Sequence, residues 1–222
     1  LTLLLLPLLT LSQAQVGNDI DGESSNDYSG WSVSIDSDGS HVAIGAYGNN
    51  GNGSDSGHVR IYEYSGSAWS QLGNDIDGEA VIDNFGYSVS IDSDGSHVAI
   101  GAYLNNGNGS DSGHVRIYEY SSGSWSQVGS DIDGEAASDL SGRSVSMDSD
   151  GSHVAIGAYG NDGNGSASGH VRIYSWDGSA WAQVGNDIDG EAASDYSGYS
   201  VSIDSDRSHV AIGAKYNDGG GS

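Results

Sequence analysis

Residues 34–47 read Ser-Ile-Asp-Ser-Asp-Gly-Ser-His-Val-Ala-Ile-Gly-Ala-Tyr, and the same residues return unchanged at 90–103. They return at 146–159 with Met147 for the isoleucine, and at 202–215 with Arg207 for the glycine and Lys215 for the tyrosine. The interval is constant at 56 residues, counted from Ser34 to Ser90, Ser146 and Ser202. Three units are whole, 15–70, 71–126 and 127–182, and a shorter one covers 183–222. A unit of this size buries too little surface to stand alone, so it is expected to stack on its neighbours.

Working outward from that stretch, the apolar period is two. Trp31-Ser-Val33-Ser-Ile35 alternates, Asp38-Gly39 is a tight-turn signal, and His41 to Tyr47 alternates large with small side chains. A Gly- and Asn-rich loop covers Gly48 to Gly57. His58 to Tyr64 is β-branched and aromatic, Ser65-Gly66-Ser67 turns the chain, and Trp69 opens a fourth strand running toward Ile76. Four antiparallel strands per unit predict an all-β fold, a β-propeller of four-stranded blades. A β-solenoid or an array of sandwiches is the weaker alternative. Val33, Ile35, Val42, Ile44, Val59 and Ile61 would fill the space between blades. Ala43, Gly45 and Ala46 suit a strand near a crowded axis.

The chain carries 31 acidic and six basic residues, a formal net charge of -25. Nucleic acid and anionic membranes are not expected as partners, because both need clustered Lys and Arg. Divalent cations, cationic partners or plain solubility are the readings of so much acid. There is no cysteine. Residues 1–14 and Gln15, LTLLLLPLLTLSQAQ, resemble a signal-peptide apolar region with cleavage after Ala14. The run is too short to span a membrane. A secreted, extracellular or cell-surface protein is therefore expected.

Asn84-Phe85-Gly86-Tyr87-Ser88-Val89, Asp94-Gly95, Val98 to Tyr103, and Gly113-His114-Val115-Arg116-Ile117-Tyr118 together resemble the FG-GAP repeat. That repeat builds the seven-bladed propeller of integrin α-subunits and of many secreted microbial proteins. The resemblance covers Gln15 to Ser222. It implies a non-enzymatic module for adhesion or surface recognition, with calcium as cofactor and a protein or glycan as partner. Against seven blades, this chain would be a fragment of about three and a half, open at both edges and prone to edge-to-edge self-association. Phe85-Gly86 occurs once; the other copies have Ser29-Gly30, Ser141-Gly142 and Ser197-Gly198. The Pro of the GAP element is replaced by Tyr47, Tyr103, Tyr159 and Lys215. The family's calcium loop is shortened to the turns holding Asp36 and Asp38, Asp92 and Asp94, and Asp148 and Asp150. Calcium takes six to eight oxygens, more than one such turn offers.

Up-and-down strand order puts the loop between the second and third strands on one face with the link between blades. That link carries Asp19, Asp21 and Glu23, then Asp75, Asp77 and Glu79, Asp131, Asp133 and Glu135, and Asp187, Asp189 and Glu191. Asp27, Asp83, Asp139 and Asp195 follow each set. Asp-x-Asp-Gly-Glu suits a hard cation, since alternate residues turn oxygens inward around a flexible glycine. It suits Asx-turns equally, each carboxylate capping nearby N–H groups.

The histidines recur with the repeat and none is singled out for zinc or catalysis. Arg60, Arg116 and Arg172 lie within strands and are expected to find carboxylates in the next blade's loops. Trp69, Trp125 and Trp181 read as packing residues or as sugar platforms. Among near copies, Trp31, Tyr87, Arg143 and Tyr199 occupy one equivalent position and differ, as do residues 24–26, 80–82, 136–138 and 192–194; a ligand surface or drift at tolerant loop positions accounts for both. Propeller enzymes place unlike catalytic groups on unlike blades, and these blades are almost copies. The expected function is an interaction module, with a glycan-binding lectin-like propeller and a fragment of a propeller hydrolase as alternatives.

Overall fold

The structure, a computed structural model, describes residues 14–219. The signal-peptide reading of residues 1–14 falls outside them except at Ala14.

The first blade consists of β1 (Ser32–Ile35), β2 (His41–Ala46), β3 (His58–Tyr64), β4 (Trp69–Gln71) and β5 (Ile76–Asp77). The second repeats it as β6 (Ser88–Ile91), β7 (His97–Ala102), β8 (His114–Ser121), β9 (Ser124–Gln127) and β10 (Ile132–Asp133). The third holds β11 (Ser144–Met147), β12 (His153–Ala158), β13 (His170–Trp176), β14 (Trp181–Gln183) and β15 (Ile188–Asp189). A hairpin of β16 (Ser197–Ile203) and β17 (Val210–Ala214) starts a fourth. All pairing between these strands is antiparallel.

The turn from β1 to β2 forms as its residues dictate. Asp38 Oδ1 accepts from the Ser40 amide at 2.9 Å, and Gly39 takes φ +78°. Register then follows as Ile35 opposite Val42. The expected fourth strand is broken in two. Trp69 to Gln71 pairs with Tyr64 to Tyr62, whereas Ile76 and Asp77 pair with Val59 and His58. Leu72 still donates to Ile61 O at 2.8 Å, but from there to Ile76 the chain outruns β3, so residues 73–75 bulge out. The bulge carries Asp75 onto Arg60.

The core lies between blades. Ala43, Val59, Ile61 and Ile76 of the first pack against Val89, Ile91, Val98 and Ile100 of the second. Val115, Ile117 and Ile132 meet Val145, Met147, Val154 and Ile156 in the same way. Removing one such side chain from water is worth roughly 1.5–3 kcal/mol. The blades approach so closely that a Cβ on Gly101 would lie 2.0 Å from the Gly142 carbonyl oxygen, and one on Gly157 2.0 Å from that of Gly198. Small residues here are thus required by the approach of the next blade.

The serines of the inner strands bind the blades together. Ser32, Ser88 and Ser144 each donate to a glycine carbonyl one blade on, Gly86, Gly142 and Gly198, at 2.8 Å. Ser34, Ser90 and Ser146 accept from the amides of Ile91, Met147 and Ile203. The polar positions of the alternating strand therefore face the next blade. The arc stays open: Val33 is 64% exposed, against 8% for Val89, its equivalent one blade on.

Candidate functional site

The acids of one link are divided between two blades. In the second blade Arg116 holds Asp131 with Nε to Oδ1 at 2.9 Å and Nη2 to Oδ2 at 2.8 Å, and also pairs with Glu79. Asp131 comes from that blade's own bulge and Glu79 from the link leading into it. Arg60 does the same with Asp75 and Glu23, while Arg172 pairs with Glu135 and reaches Asp187 through Nε alone, at 3.2 Å. The partners come from the blade itself and the link before it, so the expectation of partners in the next blade's loops is corrected. Asp77 and Asp133 stand apart from these pairs, with carboxyls raised first by burial and then by the adjoining Asp75 and Asp131. Asp19, Asp21, Asp189 and Glu191 belong to the outer links; Asp19 accepts from Gln15, and Glu191 from Asn217.

A histidine completes each arginine cluster. His114 Nδ1 lies 3.7 Å from Asp131 and 3.9 Å from Glu79, in a side chain 1% exposed. Burial, then the neighbouring Arg116, pushes its pKa down to about 4. Burial likewise lowers His58 and His170. Glu79, His114 and Asp131, and their counterparts in the other blades, bring ligand-type atoms within 4.8 Å of one another. The donor set does not suit calcium: each cluster supplies two carboxylates and an imidazole, and a guanidinium already occupies both acids. Carboxylates held this way are also poor general bases.

The turn acids are engaged locally. Asp36 meets His41 Nδ1 at 2.8 Å and accepts from Ser40 at 2.9 Å. Asp92 repeats this with His97, and Asp94 and Asp150 cap the Ser96 and Ser152 amides as Asp38 caps Ser40. Asp148, Asp150 and His153 form a further group. Here Arg207, at φ +68° where the other copies carry glycine, reaches Asp148 and Asp150 at 3.6 Å each. A guanidinium again stands among the acids.

One position that differs between copies converges on the concave side. Trp31, Tyr87 and Arg143, each preceding an inner strand, and Tyr199, near the start of β16, form one row. The Trp31 and Tyr87 rings lie 5.4 Å apart, and Arg143 Cζ sits 4.5 Å from the Tyr87 ring and 4.4 Å from the Tyr199 ring. Arg143 Nη2 donates to Tyr199 Oη at 2.9 Å. Tyr47, Tyr103 and Tyr159 back the row. Lys215 Nζ also lies over Tyr199, 4.5 Å from its ring centroid. Together with Ser32, Val33 and their equivalents, the row lines a concave cavity of about 560 Å³. Burial raises the phenol pKa of Tyr103 to about 12. At Tyr199 burial acts in the same sense, yet Arg143 and Lys215 outweigh it and lower the phenol.

The strand-opening tryptophans have another part. The indole N–H of Trp125 donates to Leu72 O at 2.8 Å, and that of Trp181 to Val128 O at 2.9 Å, each one blade back. They tie outer strands together. Their half-buried faces are packed against Tyr120 and Trp176.

With this geometry in view, the FG-GAP repeat family matches residues 20–62, 76–118 and 130–174, more than half of the chain. The chain belongs to the FG-GAP repeat family. Its FG pair has a visible cause: Phe85 is fully buried against Tyr118 and bridges Gly57 in parallel, and Ser141 and Ser197 bridge Gly113 and Gly169 where the phenylalanine is absent. No curated protein matches the chain. Among solved structures, a Bacteroides uniformis protein provisionally assigned as a 6-phosphogluconolactonase is 11% identical, with a TM-score of 0.53 over 82% of this chain and 46% of its own. Kuenenia stuttgartiensis hydrazine synthase is 14% identical, with a TM-score of 0.48 over 84% of this chain and 58% of its own. The FG-GAP chain thus spans roughly half the length of these structures. At such identity the first likeness speaks for the fold alone.

Proposed function

We propose that this FG-GAP chain is a secreted, non-enzymatic interaction module working in adhesion or surface recognition, and that it receives its partner on the concave row. One observation carries the reading: among near-identical blades, the side chains that differ at the head of the inner strand are the ones that meet. The residue types that catalysis would need recur in each blade and engage one another, as Arg116 engages Glu79 and Asp131. Secretion is supported by the apolar run before Gln15. Calcium has a lesser place, because an arginine already pairs with Glu23 and Asp75, Glu79 and Asp131, Glu135 and Asp187, and Asp148 and Asp150.

The glycan-binding alternative is favoured by the exposed rings. Trp31 is 52% exposed beside Tyr87, and an open indole face suits a pyranose. The row, and not Trp69, Trp125 or Trp181, is then the sugar platform.

Binding of the labelled chain to cell surfaces and to immobilised cell-wall polysaccharides tests the reading. Tyr87→Ala should abolish binding without changing the melting temperature. Binding undiminished by Tyr87→Ala and Tyr199→Ala would move the partner to another face, and turnover of a bound substrate would end the non-enzymatic reading.

A further inference from the structure

We infer that the ligand of the concave row is an acidic oligosaccharide, whose carboxylate or sulfate is taken by Arg143 while its pyranose rings lie on Trp31 and Tyr87. The inference rests on the reading of the row as the binding face, and adds its chemical class.

Charge distribution is the first ground. Thirty-one acidic residues stand in the sequence, yet the side chains lining the cavity are serine, valine, tryptophan, tyrosine and Arg143, with no carboxylate among them. Four of the six basic residues are in ion pairs: Arg60, Arg116, Arg172 and Arg207. Among the described residues no carboxylate pairs with Arg143. A chain this acidic has an abundance of carboxylates with which to neutralise an arginine, and the cavity presents none of them.

The posture of Arg143 is the second ground. The guanidinium is held between Tyr87 and Tyr199, with Cζ 4.5 Å and 4.4 Å from their ring centroids, in cation–π contact with both. Its hydrogen bond among the described residues runs from Nη2 to Tyr199 Oη. Nη2 keeps a second hydrogen, so one fork, shared with Nε or with Nη1, is left to a ligand, and that planar fork matches a carboxylate or sulfate with two parallel hydrogen bonds. A free anion would meet this fork alone. The ring faces of Trp31 and Tyr87, next in the row, call for a flat, weakly polar body joined to the anion. A sugar acid carries both parts in one residue, which favours it over an acidic peptide. Lys215, beyond Tyr199, extends the cationic end of the row.

The test is fluorescence titration, through the tryptophans, of the full chain with trigalacturonate, a chondroitin 4-sulfate tetrasaccharide, neutral cellotriose and hexa-aspartate. Arg143→Gln, Arg143→Lys and Tyr87→Ala are titrated beside the wild type, each first shown to melt like it. The expected result is that at least one acidic sugar binds roughly tenfold or more tightly than cellotriose. Arg143→Gln should erase that preference, and Arg143→Lys should restore part of it. The two acidic sugars distinguish carboxylate from sulfate. Equal binding of cellotriose, abolished by Tyr87→Ala and untouched by Arg143→Gln, would keep the binding face and overturn the acidic class. Hexa-aspartate bound through Arg143, with neither acidic sugar bound, would overturn the sugar. Acidic-sugar binding indifferent to both Tyr87→Ala and Arg143→Gln would overturn the face itself. Binding of none of the four probes would overturn the inference, while the cell-surface assay still decides the wider reading.

Discussion

Arg116 and Asp131 face each other through two parallel hydrogen bonds, Nε to Oδ1 and Nη2 to Oδ2, across the bulge that splits the fourth strand of the blade. Glu79, from the link before, closes on the same guanidinium. One cation thereby ties the incoming link to the outer strand, and the motif recurs at Arg60 and Arg172.

Removing that cation should cost more than removing a surface charge. Arg116 is largely buried, although Glu79 and Asp131 keep contact with water. Arg116→Met strands two carboxylates beside His114 and should destabilise the chain by roughly 1–3 kcal/mol. Urea denaturation checks this, and a double-mutant cycle with Asp131→Asn should show that the losses are not additive.

Acid should weaken the chain before its carboxylates titrate. His114 has a folded pKa near 4, below its ordinary 6.5, and His58 and His170 are shifted the same way. The unfolded chain therefore binds more protons, and this contribution to stability, full above pH 6.5, is lost as pH falls toward about 4. Asp75 and Asp131 are held below 3.8, although burial opposes their arginine partners, so their contribution is lost later. His97, raised by its bond to Asp92 against burial, acts oppositely: its contribution is present below 6.5 and is lost as pH rises through its folded value. Comparing denaturation midpoints at pH 7 and pH 5 for the wild type and His114→Gln isolates the buried imidazole. The variant should lose less stability on acidification.

Gly101→Ala should disrupt the packing of the second and third blades. Its Cβ would fall 2.0 Å from the Gly142 oxygen and 2.4 Å from Ser88 Oγ. The first neighbour is backbone and can yield only by moving the next blade. A loss of about 3 kcal/mol or an abolished cooperative melt is expected, read by thermal unfolding.

Ile82→Asn should stabilise. Ile82 is exposed at φ +69°, a conformation unfavourable to a β-branched side chain. The equivalent residues Asn26, Ser138 and Ser194 take the same conformation with smaller, polar side chains. Relief of roughly 1 kcal/mol, seen as a raised melting temperature, is the predicted outcome.

Much of this was legible in the residues. Asp38-Gly39 placed the hairpin, and the alternation of His41 to Tyr47 placed its second strand. Trp31, Tyr87, Arg143 and Tyr199 stood out because near copies make a differing position visible. Long-range geometry stayed hidden. Nothing local distinguishes a bulge at 73–75 from a continuous strand, so the pairing of Arg60 with Asp75 could not be read. The blade-to-blade bonds of the inner serines were hidden because period two says which residues share a face, not what that face meets. In the link, Asp75, Asp77 and Glu79 looked like one ligand set because they are close in sequence. The break in the strand sends Asp75 to one blade's arginine and Glu79 to the next.

The most direct test of this account is thermal unfolding with calcium and with EDTA, beside Arg116→Met. If arginine is the cation that ties the blades, the melting temperature should be the same in calcium and EDTA and should fall by several degrees in Arg116→Met. A rise of several degrees with calcium, reversed by EDTA, together with an Arg116→Met variant as stable as the wild type, would contradict it.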